Sequence, residues 1–180
     1  DDVAYGVTVD SSNNVYVTGA TFGALNGSNN GSSDIFIMKI NSSGAQQWGL
    51  QYGTSYEDVA YAITHGSSNI YLTGYTKGDL NSPDNSTSNS GSADVFIINN
   101  YDNSTLRDTV LLGTSNAEKG RSISVDSSNN VYVTGDNSTT DGDYDAFLTK
   151  FNSSLSTQWS AEITSDNTTS SYADYGYGVV

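Results

Sequence analysis

The segment with the clearest chemical capacity is a run of alternating acids, Asp141-Gly-Asp143-Tyr-Asp145. Carboxylates clustered in one loop suit calcium, a hard cation that takes oxygen ligands. The run matches the opening of an EF-hand-like loop. However, Ala146 stands at the sixth position, where glycine makes the turn, and Asn152 at the twelfth, where a bidentate Glu closes the shell. The expectation is either calcium at Asp141, Asp143 and Asp145 or a plain acidic hairpin loop. His65 is the only histidine, so neither a His-based metal cluster nor a His relay is expected around it. The absence of cysteine excludes thiol nucleophiles, disulfides and zinc knuckles. No serine occupies a Gly-x-Ser-x-Gly setting. The chain is expected not to be an enzyme, since a hydrolase would need an acid pair assembled from distant parts of it.

A second chemical signal is modification. Asn-x-Ser/Thr sequons occur at Asn26, Asn30, Asn41, Asn85, Asn103, Asn137, Asn152 and Asn167. Roughly five would arise from this Asn/Ser/Thr-rich composition alone, so the excess over the motif's chance rate is mild. Most fall in predicted turns and loops, where a glycan has room.

The elements that must position these residues are announced by a repeat. Asp2-Val-Ala-Tyr-Gly-Val-Thr-Val-Asp-Ser-Ser-Asn-Asn-Val-Tyr-Val-Thr-Gly19 returns in altered form from Asp58 to Gly74 and again from Glu118 to Gly135. Asp34-Ile-Phe-Ile-Met-Lys-Ile40 returns at 94–100 and 145–151. Asn41-Ser-Ser-Gly-Ala-Gln-Gln-Trp48 matches 152–159. Asp174-Tyr-Gly-Tyr-Gly-Val-Val180 opens like a fourth copy. Between Asp2, Asp58, Glu118 and Asp174 the spacings are 56, 60 and 56 residues.

Each unit holds four runs rich in Val, Ile, Tyr, Phe and Thr, in the first unit at 5–10, 15–21, 34–40 and 46–52, with Asn, Ser or Gly clusters between them. No amphipathic helix pattern appears. Four antiparallel strands at this period predict an all-β propeller of four-stranded blades, about three blades plus the first strand of a fourth. The rungs of a β-solenoid are much shorter. The blades are placed at about 2–56, 57–116 and 117–172, and the fourth starts at about 173–180. In the third run Phe36 and Met38 point one way and Ile35 and Ile37 the other, as a sheet covered on both faces requires. Small residues at Gly6, Ala62 and Ser122 suit innermost strands crowded around an axis.

The Asp-Ser-Ser-Asn-Asn-Val-Tyr-Val-Thr-Gly block, followed by Asp-x-Phe-Ile-x-Lys and Asn-Ser-Ser-Gly-x-x-x-Trp, resembles the SBBP family of β-propeller repeats over essentially the whole chain. The resemblance implies an extracellular scaffold of bacterial or archaeal type and carries over no catalytic residues. The second unit departs most: His65-Gly66 stands where Val-Asp would be, Asn99 replaces the Lys, and Asp108 sits where Trp48 and Trp159 fall. Sialidase-type propellers carry a Ser-x-Asp-x-Gly-x-x-Trp box. The nearest segment here, 41–48, lacks the Asp and has the wrong Gly-to-Trp spacing.

Composition narrows the partners. The 180 residues carry 6 Lys+Arg against 20 Asp+Glu, a net charge of −14 that repels phosphate backbones and anionic lipid, so neither nucleic-acid binding nor membrane insertion is expected. No apolar run approaches the ~20 residues of a membrane span. Asp1 in place of Met suggests a processed chain or an excerpt. A propeller closes with about four to eight blades, so three units are expected to assemble with the remaining blades of a longer chain or with copies of themselves. Tyr175, Tyr177, Val179 and Val180 would supply the joining strand. The expected function is a non-enzymatic extracellular or cell-surface module, structural or adhesive, in a surface layer or filament. The alternative is a carbohydrate- or calcium-binding propeller that meets surface glycans with its variable loops at 23–33, 77–93 and 136–144. No cofactor is expected other than calcium.

Overall fold

Asn-rich turns set the first strand boundaries. After the first strand, Asp10 Oδ1 accepts the backbone N–H groups of Ser12 (2.8 Å) and Asn14 (2.9 Å), and Asn13 takes a φ of 60°. Asn enters this left-handed region at low cost, which closes the turn tightly. Asp126 repeats the device with Ser128 and Asn130, and Asn129 has a φ of 59°.

The computed structural model describes residues 1–80, 88–102, 104, 106–139, 143–163 and 173–180. Twelve strands follow one another without a helix among the described residues: β1 Asp2–Val9, β2 Val15–Thr21, β3 Asp34–Ile40, β4 Gln46–Tyr52, β5 Asp58–His65, β6 Asn69–Thr76, β7 Asp94–Tyr101, β8 Leu106–Leu112, β9 Glu118–Val125, β10 Val131–Ser138, β11 Tyr144–Phe151 and β12 Thr157–Ile163. They form three antiparallel sheets in simple meander order, β1-β2-β3-β4, β5-β6-β7-β8 and β9-β10-β11-β12. The expected propeller blades are these three sheets, and they do not close into a ring.

The blades stack side by side. Strand β5 lies against β1, β2 and β3, and β9 lies against β5, β6 and β7, so the first strand of each blade is innermost. Two apolar layers result. Between blades one and two lie Tyr16, Ile35, Ile37, Ile63, Leu72, Phe96 and Ile98, with Trp48 at the margin. Between blades two and three lie Tyr71, Val95, Ile97, Val131, Val133, Phe147 and Phe151. The alternation along β7 sends Phe96 and Ile98 to one layer and Val95 and Ile97 to the other. Only a strand sandwiched between neighbours needs that pattern.

Every first strand is bulged at the same place. Register shifts between Ala4 and Gly6, between Ala60 and Ala62, and between Gly120 and Ser122, around Tyr5, Tyr61 and Arg121. Opposite the bulge the partner strand carries Gly19, Gly74 or Gly135, where a side chain would strike the carbonyl of Val3, Val59 or Lys119. Gly74→Ala is therefore expected to destabilise the chain by about 2–3 kcal/mol through overpacking against backbone. Urea unfolding checks this, and an unchanged midpoint would contradict it.

Candidate functional site

The surfaces that join blades are the most regular feature beyond the sheets. Each junction is opened by an acidic residue whose backbone N–H reaches the preceding blade. Asp58 donates to the Ser33 carbonyl (2.9 Å), Glu118 to Ala93 (2.8 Å) and Asp174 to Tyr144 (2.6 Å). The carboxylates then hold the turn that precedes them. Asp58 Oδ2 accepts the N–H (2.6 Å) and hydroxyl (2.9 Å) of Thr54, and Glu118 does the same for Thr114. Asp34 and Asp94, at the starts of β3 and β7, accept the N–H groups of Asn30 (3.0 Å) and Ser90 (2.8 Å). All four side chains are buried. These recurring acids are turn anchors.

Burial of so many acids perturbs them. Burial pushes Asp58 up, with the Asp34 charge adding to it, and burial pushes Glu118 up with Asp94 adding. Asp94 is raised by burial and by Asp79. Burial also acts upward on Asp10, but the donors of Asn14, Ser12 and Tyr16 together outweigh it and hold Asp10 at about 2.

The segment 173–180 meets blade three as β5 and β9 meet their neighbours. Besides the Asp174 bond, Gly176 donates to the Gly135 carbonyl (3.3 Å) and Val179 to Ser122 Oγ (3.1 Å). The Tyr175 ring stacks on Tyr144 at 5.6 Å and touches Tyr177 at the same separation, while Val180 is exposed. The expected strand is not formed here. Among the described residues no second strand pairs with 175–180, and an isolated extended segment has no ladder to complete.

Along the inner strands the bulge residues meet one another. The Tyr5 and Tyr61 rings pack edge to face at 5.3 Å, and the Arg121 guanidinium lies 5.1 Å over Tyr61. Arg121 also pairs with Asp136, whose side chain is buried. This ion pair belongs to the third blade alone: the matching residues are Tyr5 and Ala20 in the first, Tyr61 and Tyr75 in the second.

The opposite end of the array is bare. Val3, Tyr5, Val7 and Val9 of β1 are exposed, Val7 at 66%, whereas their counterparts Val59 and Ile63 on β5 are buried at 6%. The two matching tryptophans differ in the same sense. Trp48 packs on the layer between blades one and two, 6.1 Å from Tyr16, while Trp159 on β12 is exposed beside Tyr132.

His65 is placed otherwise than the sequence led one to expect. Its imidazole lies 5.3 Å from the Tyr16 ring, and its ligating atom, one from Asp10 and one from Asp102 lie within 4.8 Å of one another. The expectation of no metal-type cluster around it is corrected: the two acids come from turns 55 and 37 residues away in sequence, one of them on another blade. Asp141 lies outside the described residues. Asp143 Oδ1 caps the N–H of Tyr144 (2.8 Å), and Asp145 is raised by burial and by Asp143, Glu162 and Asp174.

Of the sequons, Asn85, Asn103 and Asn167 lie outside the described residues. Asn30 is exposed. Asn41 and Asn152 head the turns after β3 and β11, each accepting two backbone N–H groups through Oδ1. Asn26 Nδ2, the atom a glycan would modify, is buried, and Asn137 lies within β10.

Meander sheets stacked with their first strands innermost define the chain as a β-propeller array. Residues 109–145, reaching from within β8 into β11, match the SBBP family model, a beta-propeller repeat. No curated protein matches the chain.

Raised carboxylates keep protons in the folded state that the unfolded chain has released, so stability falls as pH rises from about 4 through their folded values. Asp10 acts oppositely, and its contribution is lost as pH falls from about 4 towards 2. Thermal midpoints are therefore expected to peak near about pH 4 and decline above it, and a rise all the way to pH 8 would contradict this. Arg121→Met strands the buried Asp136 charge and is expected to cost about 3–5 kcal/mol. Installing the first blade's own pair, Arg121→Tyr with Asp136→Ala, should recover most of that loss in denaturant titrations.

Proposed function

We propose that the chain is a non-catalytic, extracellular structural or adhesive propeller module. It joins further blades, of a longer polypeptide or of other copies, through the open face of β1 and through segment 173–180. One observation carries the reading: the residue positions buried at both internal junctions stand uncovered on blade one. Exposed apolar rows of this kind mark interaction surfaces. Segment 173–180 supports the reading, since its backbone meets the last blade through the same kind of junction bond that Asp58 and Glu118 make. A location outside the cell is supported by the typical extracellular setting of SBBP repeats and by the acidic composition. No helix among the described residues is long and apolar enough to cross a membrane.

Size-exclusion chromatography with light scattering tests the assembly. The chain is expected to form oligomers or filaments, and Val7→Asp, which puts a charge on the bare β1 face, to weaken them at least tenfold. A chain that stays folded and monomeric up to about 1 mM, the weak end of specific association, would overturn the proposal.

A further inference from the structure

The repeat supplies an internal control for one cluster at the rim. Blades one and three share a frame in which a turn Asp accepts a Tyr hydroxyl and a Lys ammonium lies over the Tyr ring. Tyr16 donates to Asp10 Oδ2 at 3.1 Å under Lys39 (5.1 Å), and Tyr132 donates to Asp126 Oδ2 at 3.2 Å under Lys150 (5.1 Å). Blade building needs no more than that. On blade one, however, blade two adds His65 and Asp102. They stand where the other units carry Val9 and Val125, and Ser42 and Ser153. Neither belongs to the repeat plan.

The additions leave an incomplete polar site. The buried His65 Nε2 has no hydrogen-bond partner. A buried imidazole nitrogen without a partner calls for an explanation, because its desolvation is uncompensated. The Tyr16 hydroxyl has a single proton but faces both carboxylates, Asp10 Oδ2 and Asp102 Oδ1. Lys39 Nζ, 2.6 Å from Asp102 Oδ1, is the cation beside them. Two carboxylates and one ammonium sum to one uncompensated negative charge.

We propose that Asp10, His65 and Asp102 form a binding site for one divalent transition-metal ion of the zinc class, which clamps the first turn of blade one to blade two. Their ligating atoms lie within 4.8 Å of one another, and tetrahedral zinc, with bonds of about 2.0–2.2 Å, places its ligands roughly 3.4 Å apart. Side-chain rotations close that difference. One imidazole and two carboxylates select zinc, cobalt or nickel over calcium, which takes more oxygens and no nitrogen. Three protein ligands leave a fourth position for water. The ion would be held by the imidazole and would offset the surplus charge, and Lys39 would be its competitor at Asp102.

Zn2+ titration by calorimetry on the whole chain tests the site, with Ca2+ and chelator controls and circular dichroism to confirm folding. One saturable equivalent is expected. His65→Gln and Asp102→Asn, which keep side-chain shape, should each weaken it at least tenfold, and Lys39→Met should tighten it at least threefold by removing the competing cation. Co2+ should give the visible absorption of a four-coordinate ion and lose it in His65→Gln. Equal Zn2+ binding by the parent and His65→Gln, or displacement by equimolar Ca2+, would overturn the proposal as general attraction to an acidic surface. The readout is binding by the single chain, so it stands apart from whether blades assemble further.

Discussion

A four-stranded sheet with apolar side chains on both faces is not a stable object in water. Blade two shows the requirement in full: Phe96 and Ile98 fill one layer, Val95 and Ile97 the other, and all four are buried. Each such side chain gains about 1.5–3 kcal/mol on leaving water, so a blade covered on one face forfeits several times that amount on the other. The rest of the architecture follows from the need to keep neighbours in contact. Inner strands carry bulges that bend them around the axis, partner strands carry glycine opposite each bulge, and an acidic residue at each junction fixes the next blade to the last.

The acids at the junctions explain how a chain of net charge −14 holds a core together. Asp58 and Glu118 are buried, and each is surrounded by the N–H and hydroxyl donors of a threonine that recurs with it. The donors offset part of the desolvation, and the remainder appears as carboxyls raised by burial. Spreading the charge among separate turns also limits mutual repulsion. Where acids do crowd, as Asp145 does with Asp143, Glu162 and Asp174, the raised carboxyl again lies at a junction.

Most of the fold was legible because repetition multiplies weak signals. A single Asp-Ser-Ser-Asn-Asn run suggests a turn, but its return at 126–130, with the same Asp-to-backbone bonds and the same positive φ, makes the turn part of a unit. The two-sided apolar pattern of residues 35–38 likewise pointed to sheets covered on both faces. The bulge at Tyr5, Tyr61 and Arg121 was not legible, since a tyrosine is as much at home in a regular strand and the third unit carries Arg121 instead. The His65 cluster was hidden for another reason. Its ligands come from two blades, and no one-dimensional spacing encodes contacts made across a junction. The signal available was departure from the repeat: His65 and Asp102 both fall in the unit that departs most.

Those departures also make the two internal junctions chemically distinct. At the first, Lys39 of blade one reaches Asp102 of blade two across the rim. At the second, the matching position is Asn99, fully buried and uncharged, and Asn129 of blade three instead accepts the N–H and hydroxyl of Ser67. On the inner side, Arg121 and Lys119 of blade three lie over Tyr61 and Tyr75 of blade two, a pairing that blade one, with Tyr5 and Val3 at those positions, cannot make with the same chemistry. A wrong blade at the first junction would leave the Lys39 ammonium, which is largely covered there, without its Asp102 partner. Apolar layers alone would let any blade stack on any other. The polar residues that break the repeat make one junction chemically different from the other.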